Sequence, residues 1–209
     1  MNDMSVQALL TPLTFPCGKT MKNRFMLAPL TNTQSHPDGV LSTEEHNWLA
    51  MRARGGFGMT MTAAAHVQPS GQAFPGQLGV FDDRQIPNLK RLADAIRASG
   101  SLSIVQLHHG GTAALPDLIG HAPVGPSDDE ATGSRALTTE EVGQLAIDFA
   151  AAAVRCERAG FDGVELHGAH SYILCRFLSP TLNTRTDQYG GSLENRARVV
   201  FDTLRLIRQ

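Results

Sequence analysis

The chain has 209 residues, 42% of them hydrophobic and 18% charged, which is enough apolar material to bury a core and too much for a disordered segment. A formal net charge of -2 and a pI near 6.4 leave no basic excess to neutralise phosphates, which argues against a nucleic-acid partner. No apolar run reaches the length of a membrane span and no basic flank precedes an apolar leader, so the expectation is a cytoplasmic protein of one domain with no membrane partner.

In chain order, Leu13-Thr14-Phe15 and Thr20-Met21 flank the turn residues Pro16-Cys17-Gly18-Lys19, which predicts a small hairpin within about residues 10–22. Phe25-Met26-Leu27-Ala28 reads as a buried strand, and 42–54 as a helix opened by the box Ser42-x-x-Glu45. A second apolar run, 58–64, precedes a helix over 87–99 with Leu89, Leu92, Ala93 and Ile96 on one face and Gly100 past its end. The third strand, 102–107, is followed by a helix over 138–159, opened by Thr138-x-x-Glu141 and striped with Leu145, Phe149, Ala153 and Cys156. Residues 162–166 form a fourth strand. A short helical stretch near 172–178 and a polar loop then lead to a last helix, 192–208, with Val199, Leu204 and Ile207 apolar.

Strand and helix alternate four times, and the strands are short and continuously apolar, which predicts a parallel sheet covered by helices. Periodicity alone does not separate an open doubly wound sheet from a barrel. Loop lengths favour the barrel: the helix-to-strand connections are brief, whereas the loops after residues 64 and 107 are long, so elaboration sits at the strand C-terminal ends. No G-x-G-x-x-G follows the first strand, which lowers the dinucleotide-fold alternative. Cys17, Cys156 and Cys175 are odd in number and form no C-x-x-C pair, so neither a disulfide framework nor a structural zinc is suggested; they read as small packing residues.

The densest chemistry lies in Glu165-Leu166-His167-Gly168-Ala169-His170-Ser171-Tyr172, where two imidazoles and a phenol leave one strand end. Two N–H donors can hold one developing oxyanion, with a weak acid beside them to protonate carbon. Zinc is the other use of a His-x-x-His pair; it needs further ligands, for which His108 and His109 are the candidates. The plain alternative is two histidines hydrogen-bonded at a helix start.

The stretch Gly160 to Tyr172, then Phe177-Leu178-Ser179-Pro180, Asn183-x-Arg185-Thr186-Asp187-x-Tyr189-Gly190-Gly191-Ser192 and Glu194-Asn195-Arg196, closely resembles the signature of the Old Yellow Enzyme family. Lys22-Asn23-Arg24, Ala28-Pro29-Leu30-Thr31, Gly55-Gly56-Phe57-Gly58 and Val105 to Gly111 agree, so the resemblance runs from about Leu10 to the last residue. It implies a (βα)8 TIM barrel that binds FMN, is reduced by NADH or NADPH in the same pocket, and reduces activated C=C bonds of enone-type substrates. It further implies that Pro29, Leu30, Thr31, Ala63 and Gln106 border the flavin, that His167 and His170 hold the substrate carbonyl oxygen, and that Tyr172 is the proton donor. Arg185, Asp187, Glu194 and Arg196 are read as fixing the long loop rather than as site residues.

The chain also departs from the family pattern. Thr31 stands where some relatives have cysteine, and Thr112 where an arginine is common, which bears on the loop 108–137 and on substrate range. A complete barrel takes about 250 residues or more, so four units are expected to be half of one. The loops that hold the FMN phosphate in this family lie beyond residue 209. The expectation is therefore either part of a larger or split ene-reductase, or a truncated half barrel that self-associates through open strand edges. Relatives acting as dienoyl-CoA reductases or amine dehydrogenases are the alternative within the family.

Overall fold

The computed structural model describes residues 6–209. A single turn, α1 (Val6–Leu9), leads into the hairpin of β1 (Leu13–Thr14) and β2 (Thr20–Met21), which pairs Leu13 with Met21. Gly18 supplies the positive φ of +84° that the tight turn needs. The hairpin is tied beneath the main sheet, because Lys19 Nζ reaches Asp162 at 2.9 Å and Lys22 Nζ donates to the Ser99 carbonyl at 2.7 Å, both just ahead of strands. It lies at the strand N-terminal ends and leaves the opposite ends open.

Four parallel strands follow: β3 (Met26–Leu27), β4 (Met59–His66), β5 (Leu102–His108) and, after a two-stranded insertion, β8 (Gly163–Leu166). They pair in the order β3-β4-β5-β8, all parallel. Strands that pair in chain order with right-handed crossovers carry every connecting helix on one face. That is the winding of a barrel rather than of a doubly wound sheet, and it decides what periodicity leaves open.

The connecting helices are α2 (Thr43–Arg54), α3 (Ile86–Ala98) and α5 (Thr139–Ala159). Their apolar stripes meet the outer face of the sheet in one cluster, in which Leu49, Leu89, Leu92, Ile96, Leu145 and Phe149 are fully buried. Truncating a residue such as Phe149 to alanine removes about 3–5 kcal/mol. After β8, α6 (Ile173–Leu178) and α7 (Leu193–Ile207) complete the chain, α7 packing on α5. Arg196 donates to the carbonyls of Leu178 and Gly191, which joins the end of α6 to the start of α7.

The two anticipated capping boxes differ. Thr138 and Glu141 form the full reciprocal box. At α2 only half forms: the Ser42 hydroxyl accepts from Glu45 N–H at 3.1 Å, but the Glu45 carboxylate turns into the protein. There it accepts from Asn32 Nδ2 at 3.0 Å and from the Ser35 hydroxyl. Glu45 is fully buried, so two side-chain donors in the loop after β3 outweigh one backbone N–H at a helix end.

The loop 108–137 holds structure that its Gly, Pro, Asp and Ser content hides. It contains α4 (Pro116–Ile119) and a parallel pair, β6 (Val124–Gly125) with β7 (Arg135–Ala136). Such two-residue strands are too short to carry a period. No helix among the described residues is long and apolar enough to cross a membrane.

Candidate active site

The strand register arranges the site in rows. Ala64 pairs with Gln106, and Gln106 with Glu165, forming one row across β4, β5 and β8. Two residues further along each strand, His66 pairs with His108, and His167 continues from β8 beside them. A cleft of roughly 300 Å³ opens over these rows, walled by Ala64, Gln106, Glu165 and His167 from the strands and by Pro29, Thr31 and Phe74 from the loops. His170 and Tyr172 close it from the turn after β8.

A register shift between Met61 and Ala64 settles which alanine reaches the cleft. β4 uses one more residue than β5 over this stretch, and the Thr62 hydroxyl braces the irregularity by accepting from Gln106 N–H at 3.3 Å. A bulge exchanges the two faces of a strand beyond it. Ala64 therefore lines the cleft, and Ala63 does not. Leu30 also lies off the cleft wall and is 54% exposed. The structure does bring together Pro29, Thr31, Gln106, His167, His170 and Tyr172.

His167, His170 and Tyr172 converge with ring centroids 5.1 Å apart for the two histidines and 4.9 Å for His167 and Tyr172. Ala169 N–H donates to Nδ1 of His167 at 3.3 Å, so the neutral ring carries its proton on Nε2 and offers an N–H donor. Burial, helped by the neighbouring His170, pushes the His167 pKa down and keeps the ring neutral. Backbone strain marks the same turn: His170 and Ser171 have φ of +55° and +60°, in the left-handed region that β-carbons disfavour.

Gln106 Nε2 donates to Glu165 Oε1 at 2.6 Å, which leaves the amide carbonyl without a protein partner among the described residues. The Thr31 hydroxyl likewise has none among the described residues. Both groups stand at the cleft beside the apolar surfaces of Pro29 and Ala64.

Behind the wall lie three buried neutral histidines. Nδ1 of His66 donates to the Gln68 carbonyl at 2.9 Å, and Nδ1 of His109 accepts from Gly111 N–H at 3.0 Å. Gln77 fixes His108: its Oε1 accepts from Ala73 N–H, so its Nε2 must face the Ala64 carbonyl and Nδ1 of His108. The His108 ring then meets Tyr172 edge to face at 4.3 Å. Burial pushes the pKa of His66, His108 and His109 down to about 4, 2 and 3. Among the described residues no group of three or more His, Cys, Asp and Glu has the geometry to hold a metal.

Glu165, Phe74 and Gln77 join the site through the fold, and the sequence pattern does not single them out as site residues. Glu165 did carry a signal, a carboxylate within an apolar strand two residues before His167. Phe74 and Gln77 lie in a long loop with no pattern to read.

A second, wider depression of about 420 Å³ is bordered by Ser127, Asp128, Thr184 and Arg185. Its charge is already committed. The Arg185 guanidinium bonds Asp187 through two nitrogens and also the Pro126 and Leu137 carbonyls, which holds the Asp187 carboxyl well below the usual carboxylate range. Those contacts take four of the five guanidinium N–H groups and fix the 183–189 loop.

Comparison with known proteins agrees with this architecture. Residues 8–209 match the NADH:flavin oxidoreductase / NADH oxidase family. A probable NADH-dependent flavin oxidoreductase, YqiG, of Bacillus subtilis (strain 168) is 46% identical over 192 residues, covering 90% of this chain and 51% of that protein. An NADH:fumarate oxidoreductase of Klebsiella pneumoniae (strain 342) is 40% identical over 93% of this chain but 22% of its own length. Among solved structures, the Old Yellow Enzyme homologue from Zymomonas mobilis superposes with a TM-score of 0.89 at 30% identity, over 96% of this chain and 59% of that one. A 2-naphthoyl-CoA reductase superposes with a TM-score of 0.92 at 31% identity, over 97% of this chain and 33% of that one. The chain thus spans between 22% and 59% of the length of these relatives, and the fold is that of their TIM barrels, of which it supplies the hairpin and four βα units. With the winding, the cleft and the match over residues 8–209 in agreement, the chain belongs to the NADH:flavin oxidoreductase / NADH oxidase family, the flavoenzymes that include Old Yellow Enzyme.

Proposed function

We propose that this chain forms part of a single FMN-binding barrel domain that reduces activated C=C bonds, those of α,β-unsaturated carbonyl compounds, with NAD(P)H as the electron source. The observation that carries the reading is the convergence of His167, His170 and Tyr172 on one cleft, with His167 neutral and protonated on Nε2. Relatives named NADH:fumarate and NADH:acrylate oxidoreductase share this part of the sequence at 40% and 39% identity, which supports an alkene conjugated to a carbonyl carbon as the substrate class.

The cleft fits a flavin ring. Pro29 and Ala64 offer small apolar surfaces to a planar heterocycle, and the Gln106 carbonyl and the Thr31 hydroxyl supply hydrogen-bonding groups that the protein leaves unpaired. Pro29, Thr31, Ala64 and Gln106 would hold the ring of FMN, which would supply two-electron hydride chemistry between NAD(P)H and the β-carbon of the substrate. The chain's residues do the rest. His167 Nε2–H and His170 donate to the carbonyl oxygen and stabilise its developing negative charge. The Tyr172 hydroxyl then hands its proton to the α-carbon. Glu165, accepting from Gln106 Nε2, fixes the orientation of that amide at the cleft.

The 2-naphthoyl-CoA reductase likeness favours a second substrate reading, a conjugated thioester, in which the same oxygen-binding pair would serve. β3 and β8 are the two edges of the four-stranded sheet, and we propose that pairing with a further barrel segment or with a second copy covers them. The free Cys17, Cys156 and Cys175 suit a reducing compartment such as the cytoplasm. The test is NAD(P)H oxidation by the FMN-supplemented chain with 2-cyclohexenone or a conjugated thioester. Enone-dependent turnover that Tyr172→Phe lowers by about 100-fold or more supports the proposal, and equal turnover by that variant refutes it.

A further inference from the structure

We infer that Arg176 is a positioning residue for the reacting face: through Asp129 it holds the strained His170–Ser171 turn that aims His170 and presents Tyr172. The inference rests on the reading of those residues given above. Two successive L-residues with φ of +55° and +60° do not hold this conformation unaided. The backbone returns to an extended conformation at Tyr172, with φ of -72° and ψ of 176°, before entering α6.

The restraints on this turn are few. Tyr172 N–H donates to the Ala169 carbonyl and Ile173 N–H to the His109 carbonyl, each at 3.2 Å. One side chain among the described residues bonds the backbone of the strained pair itself: Arg176 Nε donates to the Ser171 carbonyl at 3.3 Å. The same guanidinium donates through Nη1 to Asp129 Oδ2 at 2.8 Å, with both side chains at least three-quarters buried. Asp129 is anchored in turn, its N–H donating to the Ser134 carbonyl at 3.0 Å and its Oδ1 accepting from Ala131 N–H at 3.1 Å. A planar guanidinium reaches both acceptors at once, which an ammonium on a flexible stem does not. The 129–134 turn, on the loop after β5, is thereby tied to the turn after β8 that carries the proposed oxygen-binding and proton-donating groups.

Amide hydrogen exchange on the full 209-residue chain tests this without needing bound flavin. In Arg176→Met, the Tyr172 and Ile173 amides should exchange about tenfold faster while those of Val105 and Leu107 in β5 keep their rates. Adding Ser171→Gly, which accepts positive φ freely, should return the two rates close to those of the parent chain. Arg176→Lys should behave as Arg176→Met. If Arg176→Met does not fold, Asp129→Asn carries the same expectation. Unchanged exchange at Tyr172 and Ile173, an equal rise in β5, or no rescue by glycine would each overturn the inference. Enone turnover is scored separately: its absence in the parent chain counts against the functional reading, whereas the exchange pattern speaks for Arg176 alone.

Discussion

The Gln77 side-chain nitrogen stands 2.9 Å from Nδ1 of His108, and this bond decides where that imidazole keeps its proton. Gln77 spends its whole amide on the wall behind the cleft, joining Ala73, Ala64 and His108. Gln77→Met should deprive the half-buried Ala73 N–H, the buried Ala64 carbonyl and the buried His108 Nδ1 of this partner and destabilise the chain by about 2–3 kcal/mol in urea unfolding. The ring nitrogens of His108 should lose their single-tautomer pattern in ¹⁵N NMR. A variant with parent stability and an unchanged ring signal would show that the bond is incidental.

Removing the proton donor or an oxyanion donor should act on turnover. Tyr172→Phe should lower kcat for enone reduction about 100- to 10,000-fold. His167→Ala should lower it by about 100- to 1,000-fold. Stopped-flow or steady-state assays with saturating FMN read both. If His167→Ala raised only KM, the ring would be binding substrate and transition state equally well.

Ala64 is small where a planar ring would lie. Ala64→Leu should weaken FMN binding more than tenfold, while overpacking costs about 1–3 kcal/mol of stability at most. Fluorescence titration of FMN beside a melting curve separates the two effects. Undiminished FMN binding by a folded Ala64→Leu chain would place the ring elsewhere.

Burial holds His66, His108 and His109 neutral, with pKa values near 4, 2 and 3 against an ordinary 6.5. Below pH 6.5 the unfolded chain binds protons that the folded chain refuses. Their contribution to stability is therefore complete above pH 6.5 and is lost as pH falls toward 4, by up to about 1.4 kcal/mol per pH unit for each ring. Glu45 works in the opposite sense, because burial raises its pKa and the folded chain takes up that proton earlier than the unfolded one. Three rings against one carboxyl predict a urea midpoint that falls between pH 7 and pH 5. A flat midpoint across that range contradicts the assignment of neutral buried rings.

Much of this architecture is legible in the sequence because it is periodic. The strands β4, β5 and β8 are short runs rich in apolar residues, and α5 announces both its Thr138–Glu141 box and its stripe. The rest depends on pairs of segments. The bulge between Met61 and Ala64 is a property of β4 against β5, so no reading of β4 alone can tell that Ala64 rather than Ala63 meets the cleft. Glu45 follows the motif of a helix cap, yet Asn32 and Ser35, folded back from the preceding loop, claim its carboxylate. Positive φ at His170 and Ser171 has no glycine to signal it. The convergence of His167, His170 and Tyr172 was legible from their closeness in sequence, whereas Gln77 and Phe74 join the site only through the fold.

The most direct test is a titration of the ¹⁵N-labelled chain with FMN, following its backbone amides by NMR at concentrations high enough to see weak binding. The account predicts saturable shifts at Thr31, Ala64, Gln106 and His167, with Thr184 to Asp187 unmoved. Shifts confined to that second depression, or none anywhere at millimolar FMN, would contradict the assignment of the cleft as the flavin site.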